Sequence, residues 1–290
     1  MIRLTLIIVA FSFIACNSDE GTVVPTTKSL TLNLSGLAEL GENFVYEGWI
    51  IVDGMPVSTG TFSSVEFPQS FTVNTEQLDM ATKFVLSIEP MNDTNPAPAN
   101  TKILAGDFNG NSASVNTMPV GDLSNAMGKY ILATPTNGAD TNENSGIWFL
   151  DPSSGAPMAG LSLPTLPTGW IYEGWVVIDG QPVTTGTFTN TSASDNSAMF
   201  SGAMALPMPN GADGFFPGED YLMMAPSGLT FPTDLSGGKA VISIEPVPDN
   251  SSMPFSMKPL VGDIPVNATD HTLYQLGQNL SSLPTGMVSR

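Results

Sequence analysis

Apolar residues along this chain come in short runs cut by Gly, Pro, Asn and Asp, and no stretch sustains the 3.6-residue period of an amphipathic helix. The run Phe44 to Val52 is bulky on both faces, with Tyr46, Ile50 and Val52 alternating with Val45, Trp49 and Ile51. A strand apolar on both sides is central in its sheet and covered above and below. Asp53-Gly54 follows. Both residues tolerate the positive φ of a type I′ turn, so a hairpin is expected, with a return strand reaching Phe62. Phe84 to Ile88 predicts a further strand, ended by Pro90, which cannot donate to a ladder. Lys102 to Ala105 predicts another. Lys129 to Ala133 and Gly146 to Leu150 flank a polar turn, residues 137–145, and predict a hairpin that opens the second half.

The pattern occurs twice. Residues 46–62 (Tyr-Glu-Gly-Trp-Ile-Ile-Val-Asp-Gly-Met-Pro-Val-Ser-Thr-Gly-Thr-Phe) return at 172–188, with twelve of seventeen positions identical. Ser87-Ile88-Glu89-Pro90 returns as Ser243-Ile244-Glu245-Pro246, and Gly106-Asp107 as Gly262-Asp263. Blocks recurring in one order mean two copies of one structural unit. The first block repeats after 126 residues and the later two after 156, so copy two carries an insertion, at about residues 189–236. It is rich in Gly, Pro, Ser and Met and is read as a long loop or hairpin extension, which costs little closure entropy. The fold class expected is all-β: two tandem β-sandwich, immunoglobulin-like domains from an internal duplication, at residues 31–122 and 123–290. The Ser-, Asn- and Gly-rich stretch 109–128 is read as the end of copy one.

Composition narrows function. The chain carries 8 Lys plus Arg against 27 Asp plus Glu, a net charge of −19. A surface of that sign repels nucleic acid, which is excluded as a partner. Residues 1–15 read as a lipoprotein signal peptide: Arg3, an apolar run from Leu4 to Ile14 too short to span a bilayer comfortably, then Ala15 before Cys16. Phe13-Ile-Ala-Cys16 resembles a lipobox and implies lipid attachment at Cys16, the only cysteine. Residues 16–30 would form a polar tether. The expected location is extracytoplasmic, anchored by lipid to the membrane, at the outer membrane or cell surface.

Candidate chemistry is sparse. His271 is the only histidine, so neither a His-based triad nor a His-rich zinc site can be assembled. It is read as a turn residue. Nucleotide-binding and zinc motifs are missing, and no cofactor or metal ligand is assigned. Candidate binding residues are the repeated Trp49 and Trp175, Glu47 and Glu173, and Glu89 and Glu245. The tryptophans serve either as core anchors or as sugar-stacking platforms. The glutamates either accept backbone N–H groups or pair with Lys102 and Lys258, or else form an acid–base pair for glycoside hydrolysis, which needs carboxyls roughly 5–10 Å apart in an open cleft. Asp140 to Ser145 resembles half of a calcium loop, but Ser145 stands where glycine is required and Asp151 replaces the final Glu, so a polar turn is expected. Met199, Met204, Met208, Met223 and Met224 of the insertion either form an adaptable contact surface or fill a core beneath it.

The order aromatic-Glu-x-Trp, Asp-Gly, Pro-Val-x-x-Gly-x-Phe, Ile-Glu-Pro, a Pro-containing loop and then Leu-Ala/Val-Gly resembles the extracytoplasmic C-terminal domain of anti-sigma-K factors, over about residues 31–115 and again over 160–275. The resemblance implies a role in sensing or binding at the cell envelope, with an envelope protein as partner and no catalysis. The family's cytoplasmic sigma-binding part and membrane helix have no counterpart here, so direct contact with a sigma factor is not expected. Nor does the Glu-Pro loop carry the family's Gly-Gly-Ser; it reads Met91-Asn-Asp93 and Val247-Pro-Asp249. A surface glycan-binding lipoprotein is the alternative, and a hydrolase using the repeated glutamates a further one.

Overall fold

The computed structural model describes residues 25–202, 216–249 and 251–290. Cys16, Met204 and Met208 lie outside the described residues. The chain is nearly all β, with two large antiparallel sheets in sandwich- or barrel-like arrangements.

The first unit contains β1 (Thr27–Ser35), β2 (Phe44–Val52), β3 (Met55–Phe62), β4 (Gln69–Asn74), the short helix α1 (Thr75–Met80), β5 (Lys83–Pro90), β6 (Lys102–Asn109) and β7 (Ser112–Val115). β2 lies between β3 and β5. Tyr46 and Ile50 on one face and Val45 and Trp49 on the other are all buried, as a two-sided apolar strand requires. β1 is one-sided instead: Leu30, Leu32 and Leu34 point inward while Thr27, Ser29 and Asn33 remain exposed. Each buried leucine contributes roughly 1.5–3 kcal/mol. Asp53 and Gly54 have φ of 49° and 78°, and Asp179 and Gly180 have 51° and 82°, the paired positive values of the expected I′ turns.

The second unit contains β8 (Met127–Leu132), β9 (Gly146–Trp148), β10 (Leu150–Asp151), β11 (Met158–Ala159), β12 (Leu161–Ser162), β13 (Trp170–Ile178), β14 (Gln181–Phe188), β15 (Gly218–Asp220), β16 (Lys239–Pro246), β17 (Leu260–Asp263) and β18 (Tyr274–Gln278). β8 and β9 form the expected hairpin, pairing Ile131 with Trp148 and Leu132 with Ile147. The insertion is more than a loop: its β15 pairs with β9 as the edge strand of the sheet.

Both sheets curl until their edges touch. In the first, Phe62 of β3 and Phe71 of β4 bring their rings within 5.7 Å. In the second, Tyr221, just after β15, donates its hydroxyl to the carbonyls of Val183 and Thr184 on β14, both at 3.3 Å.

The units also exchange a strand. The strand after β18 is β19 (Thr285–Ser289), and it lies in the first sheet, between β7 and β1, with Leu32 opposite Val288 and Gly286 opposite Val115. In the same way β8, the strand after β7, lies in the second sheet, between β18 and β9, and also pairs with β12. Each copy thus places its final strand in the other copy's sheet. Residues 285–289 therefore belong to the first sheet, although they fall in the stretch assigned to the second domain, 123–290. β7 runs through the stretch read as the end of copy one, and β1 begins inside the stretch read as tether. Arg290 fixes the exchanged strand further. Its guanidinium donates to the carbonyls of Leu78 at 2.5 Å, Ala81 at 2.7 Å and Gly110 at 3.0 Å, and lies 4.3 Å from the ring centre of Phe108. One continuous apolar core runs through both units.

Candidate functional site

The repeated motif builds the same device in each unit. Trp49 is buried, and its indole N–H donates to the Ser87 hydroxyl at 2.8 Å; Trp175 is buried and donates to Ser243 at 2.8 Å. The two serines then donate to Glu89 and Glu245, two residues further along the strand and so on the same face. The glutamates also accept backbone N–H groups, Glu89 from Ala99 at 2.8 Å and Glu245 from Phe255 at 2.9 Å. These bonds hold the loop after β5 and the loop after β16 across the outer face of each sheet.

Gly48 and Gly174 let the core close against the same strands, at Phe84 and Phe149. A Cβ at Gly48 would fall 2.6 Å from the Thr59 hydroxyl, and one at Gly174 would fall 2.2 Å from that of Thr185. Tyr46 and Tyr172 repeat as well. Each donates its hydroxyl at 2.8 Å to a carbonyl eight residues upstream, Ala38 and Pro164, and stacks on the phenylalanine that closes the motif, Phe62 and Phe188.

Of the sequence candidates, Trp49, Trp175, Glu89, Glu173 and Glu245 thus occupy buried, hydrogen-bonded positions. Neither Trp49 nor Trp175 presents a ring face for stacking a sugar. Neither Lys102 nor Lys258 forms an ion pair with a strand-end glutamate among the described residues; Lys102 donates to the Ala99 carbonyl at 2.8 Å. Glu47 is half-buried and accepts the Ser58 hydroxyl at 2.5 Å, whereas its repeat Glu173 is buried and accepts Thr184. His271 sits in an exposed turn with φ of 51°. The Asp140 loop is a set of polar turns: Glu143 accepts the Thr134 and Thr141 backbone N–H groups. Asp151 pairs with Lys129 at 2.6 Å, which holds its carboxyl down at about 2. Met199, Met223 and Met224 are exposed, so none of these three fills a core.

Between the units lies a cleft of about 720 Å³. Unit one contributes Leu40, Phe44 and Pro90, and unit two contributes Glu245, Val247 and Phe255. Gly169 makes the join: a Cβ there would fall 2.8 Å from the Asn100 backbone, so only glycine, at φ 101°, allows the two units to meet so closely. The cleft is lined by apolar groups with a few carboxylates, Glu39, Glu42, Glu245 and Asp249, the composition of a binding site. No protein-family model, curated protein or solved structure matches the chain. Its site must therefore be read from this geometry.

Two features escaped the sequence reading. Asp249 joins Glu173 and Glu245, with one carboxylate oxygen of each lying within 4.8 Å of the others. The insertion also buries Glu219, Asp220 and Tyr221 completely. Asp220 accepts the Trp148 indole at 2.9 Å and the Thr136 N–H and hydroxyl at 2.8 and 2.6 Å. Glu219 accepts the Ser201 hydroxyl and the Phe200 N–H. Burial pushes both carboxyls up, and it pushes nearby Asp195 up to about 7. Gly218-Glu-Asp-Tyr221 looks like a polar turn in sequence; only the partners from residues 134–148 and 200–201 make it core.

Proposed function

We propose that this protein is a non-catalytic, lipid-anchored extracytoplasmic module that binds or senses a partner at the cell envelope, through the cleft between its two units. The observation that carries the reading is the cleft itself: it draws on both copies, is large enough for a folded-over peptide segment, and combines apolar walls with carboxylates. A partner segment with an apolar face and a basic residue suits that lining. The resemblance to anti-sigma-K outer domains points the same way, toward an envelope protein that carries the signal inward. Against a hydrolase, Glu89 and Glu245 each accept a serine hydroxyl and a backbone N–H and are only 1% exposed. Against a glycan platform, the repeated indoles are buried with their N–H groups already used.

Crosslinking in intact cells with the full lipidated protein as bait tests this reading. Recovery of one membrane protein with a cytoplasmic sigma-binding domain would support it. Recovery of glycan or outer-surface components alone would replace it with the surface-binding reading.

A further inference from the structure

We propose that Glu173, Glu245 and Asp249 form a binding site for a single hard divalent cation of the calcium class. One carboxylate oxygen from each lies within 4.8 Å of the other two. Three oxygens that close lie no more than about 2.8 Å from a common centre, so small side-chain rotations bring all three to the calcium–oxygen distance of about 2.4 Å with the backbone as it stands. β13 supplies Glu173, the end of β16 supplies Glu245, and the following loop supplies Asp249. Carboxylate oxygens are the ligands that calcium prefers, and waters entering from the cleft, which Glu245 and Asp249 line, would complete its shell.

Glu173 provides a second, separate reason. It is 6% exposed, its Oε2 is buried with no hydrogen-bond donor among the described residues, and the side chain within hydrogen-bond reach of its carboxyl besides Thr184 is another carboxyl, that of Asp249. Buried polar groups are normally paired, and buried charges are paired or coordinate metals. No ion pair among the described residues involves any of the three carboxylates. Lys258 is the basic side chain whose charge reaches Glu245, and it forms no ion pair with it. A cation would meet the unpartnered oxygen and the two neighbouring carboxylate oxygens together. Unit one is a built-in control. The repeat places Glu47, Glu89 and Asp93 at the corresponding positions, yet Glu47 is half-buried on Ser58 and Asp93 is exposed, and these three do not gather. The cation site is therefore a property of unit two, and it stands whether or not the cleft binds a partner.

The test is titration of the full chain, stripped with EDTA, with CaCl₂ by calorimetry and with TbCl₃ by tryptophan-sensitised luminescence. Wild type should bind one ion and gain thermal stability with CaCl₂. Glu173→Gln and Asp249→Asn should each weaken binding tenfold or more. Asp93→Asn in unit one should leave it unchanged. Asp249→Asn lies in a loop, so it keeps the test available if the buried Glu173→Gln disturbs folding. Absence of saturable calcium binding by wild type would overturn the proposal. So would affinity unchanged by Asp249→Asn, or a loss with Asp93→Asn equal to that with Asp249→Asn.

Discussion

The indole N–H of Trp175 donates to the hydroxyl of Ser243 at 2.8 Å, and the Ser243 hydroxyl in turn donates to the carboxylate of Glu245. Trp49, Ser87 and Glu89 repeat this relay in the first unit. All six residues are buried. Each serine is the link that satisfies an apolar-facing donor on one side and a buried acceptor on the other.

Replacing that link leaves both neighbours short. Ser243→Ala removes a donor from Glu245 and an acceptor from the Trp175 indole, and should cost about 1–3 kcal/mol of stability. Ser87→Ala should cost a similar amount. The two relays sit in different sheets, so the double variant should lose roughly the sum. Chemical denaturation of the three variants checks this. A cost near zero for either would mean that water replaces the serine.

Strand exchange predicts where a truncation acts. Removing residues 284–290 deletes β19 and Arg290 from the second copy, yet it opens the first sheet, between β7 and β1. Hydrogen exchange should show the amides of β1 and β7 losing protection, while the β13–β16 ladder keeps it. Arg290→Ala alone should cost about 1–3 kcal/mol, because it leaves the carbonyls of Leu78, Ala81 and Gly110 without their charged donor.

The acid groups beneath the insertion set a pH dependence. Burial raises Asp195 from 3.8 to about 7, against hydrogen bonds from Gly218 and Ser197 that lower it and the neighbouring Glu219 charge that raises it. Between about pH 4 and pH 7 the folded chain holds a proton here that the unfolded chain has released. Stability from this group is therefore full below about pH 4 and falls as pH rises toward 7. The melting temperature in EDTA should drop between about pH 4 and pH 7, and Asp195→Asn should flatten that drop. An unchanged slope in the variant would assign the effect to other acids.

What the sequence disclosed depends on how local each feature is. Asp53-Gly54 names its own turn, because the two residues that need positive φ are adjacent. Trp49 and Val45 alternate with Tyr46 and Ile50, so a strand covered on both faces is visible without knowing its cover. The place of β19 is not visible: Gly286 and Val288 fit many strands, and their partners Leu34 and Leu32 lie some 250 residues upstream. The same holds for Asp249, which reaches Glu173 only because β13 and β16 pair side by side. Glu219 and Asp220 look solvent-exposed by type and are core by hydrogen bonding. Long-range pairing and side-chain hydrogen bonds, rather than periodicity, decide these positions.

The measurement that tests the functional account most directly is site-specific photo-crosslinking in intact cells. One crosslinker would replace Met253, which lines the cleft and is 55% exposed; the other would replace Met55, at a hairpin turn and 67% exposed. The account predicts that Met253 labels one envelope membrane protein and that Met55 does not. Equal labelling from both positions, or labelling from Met55 alone, would contradict the claim that the cleft between the two units is the binding site.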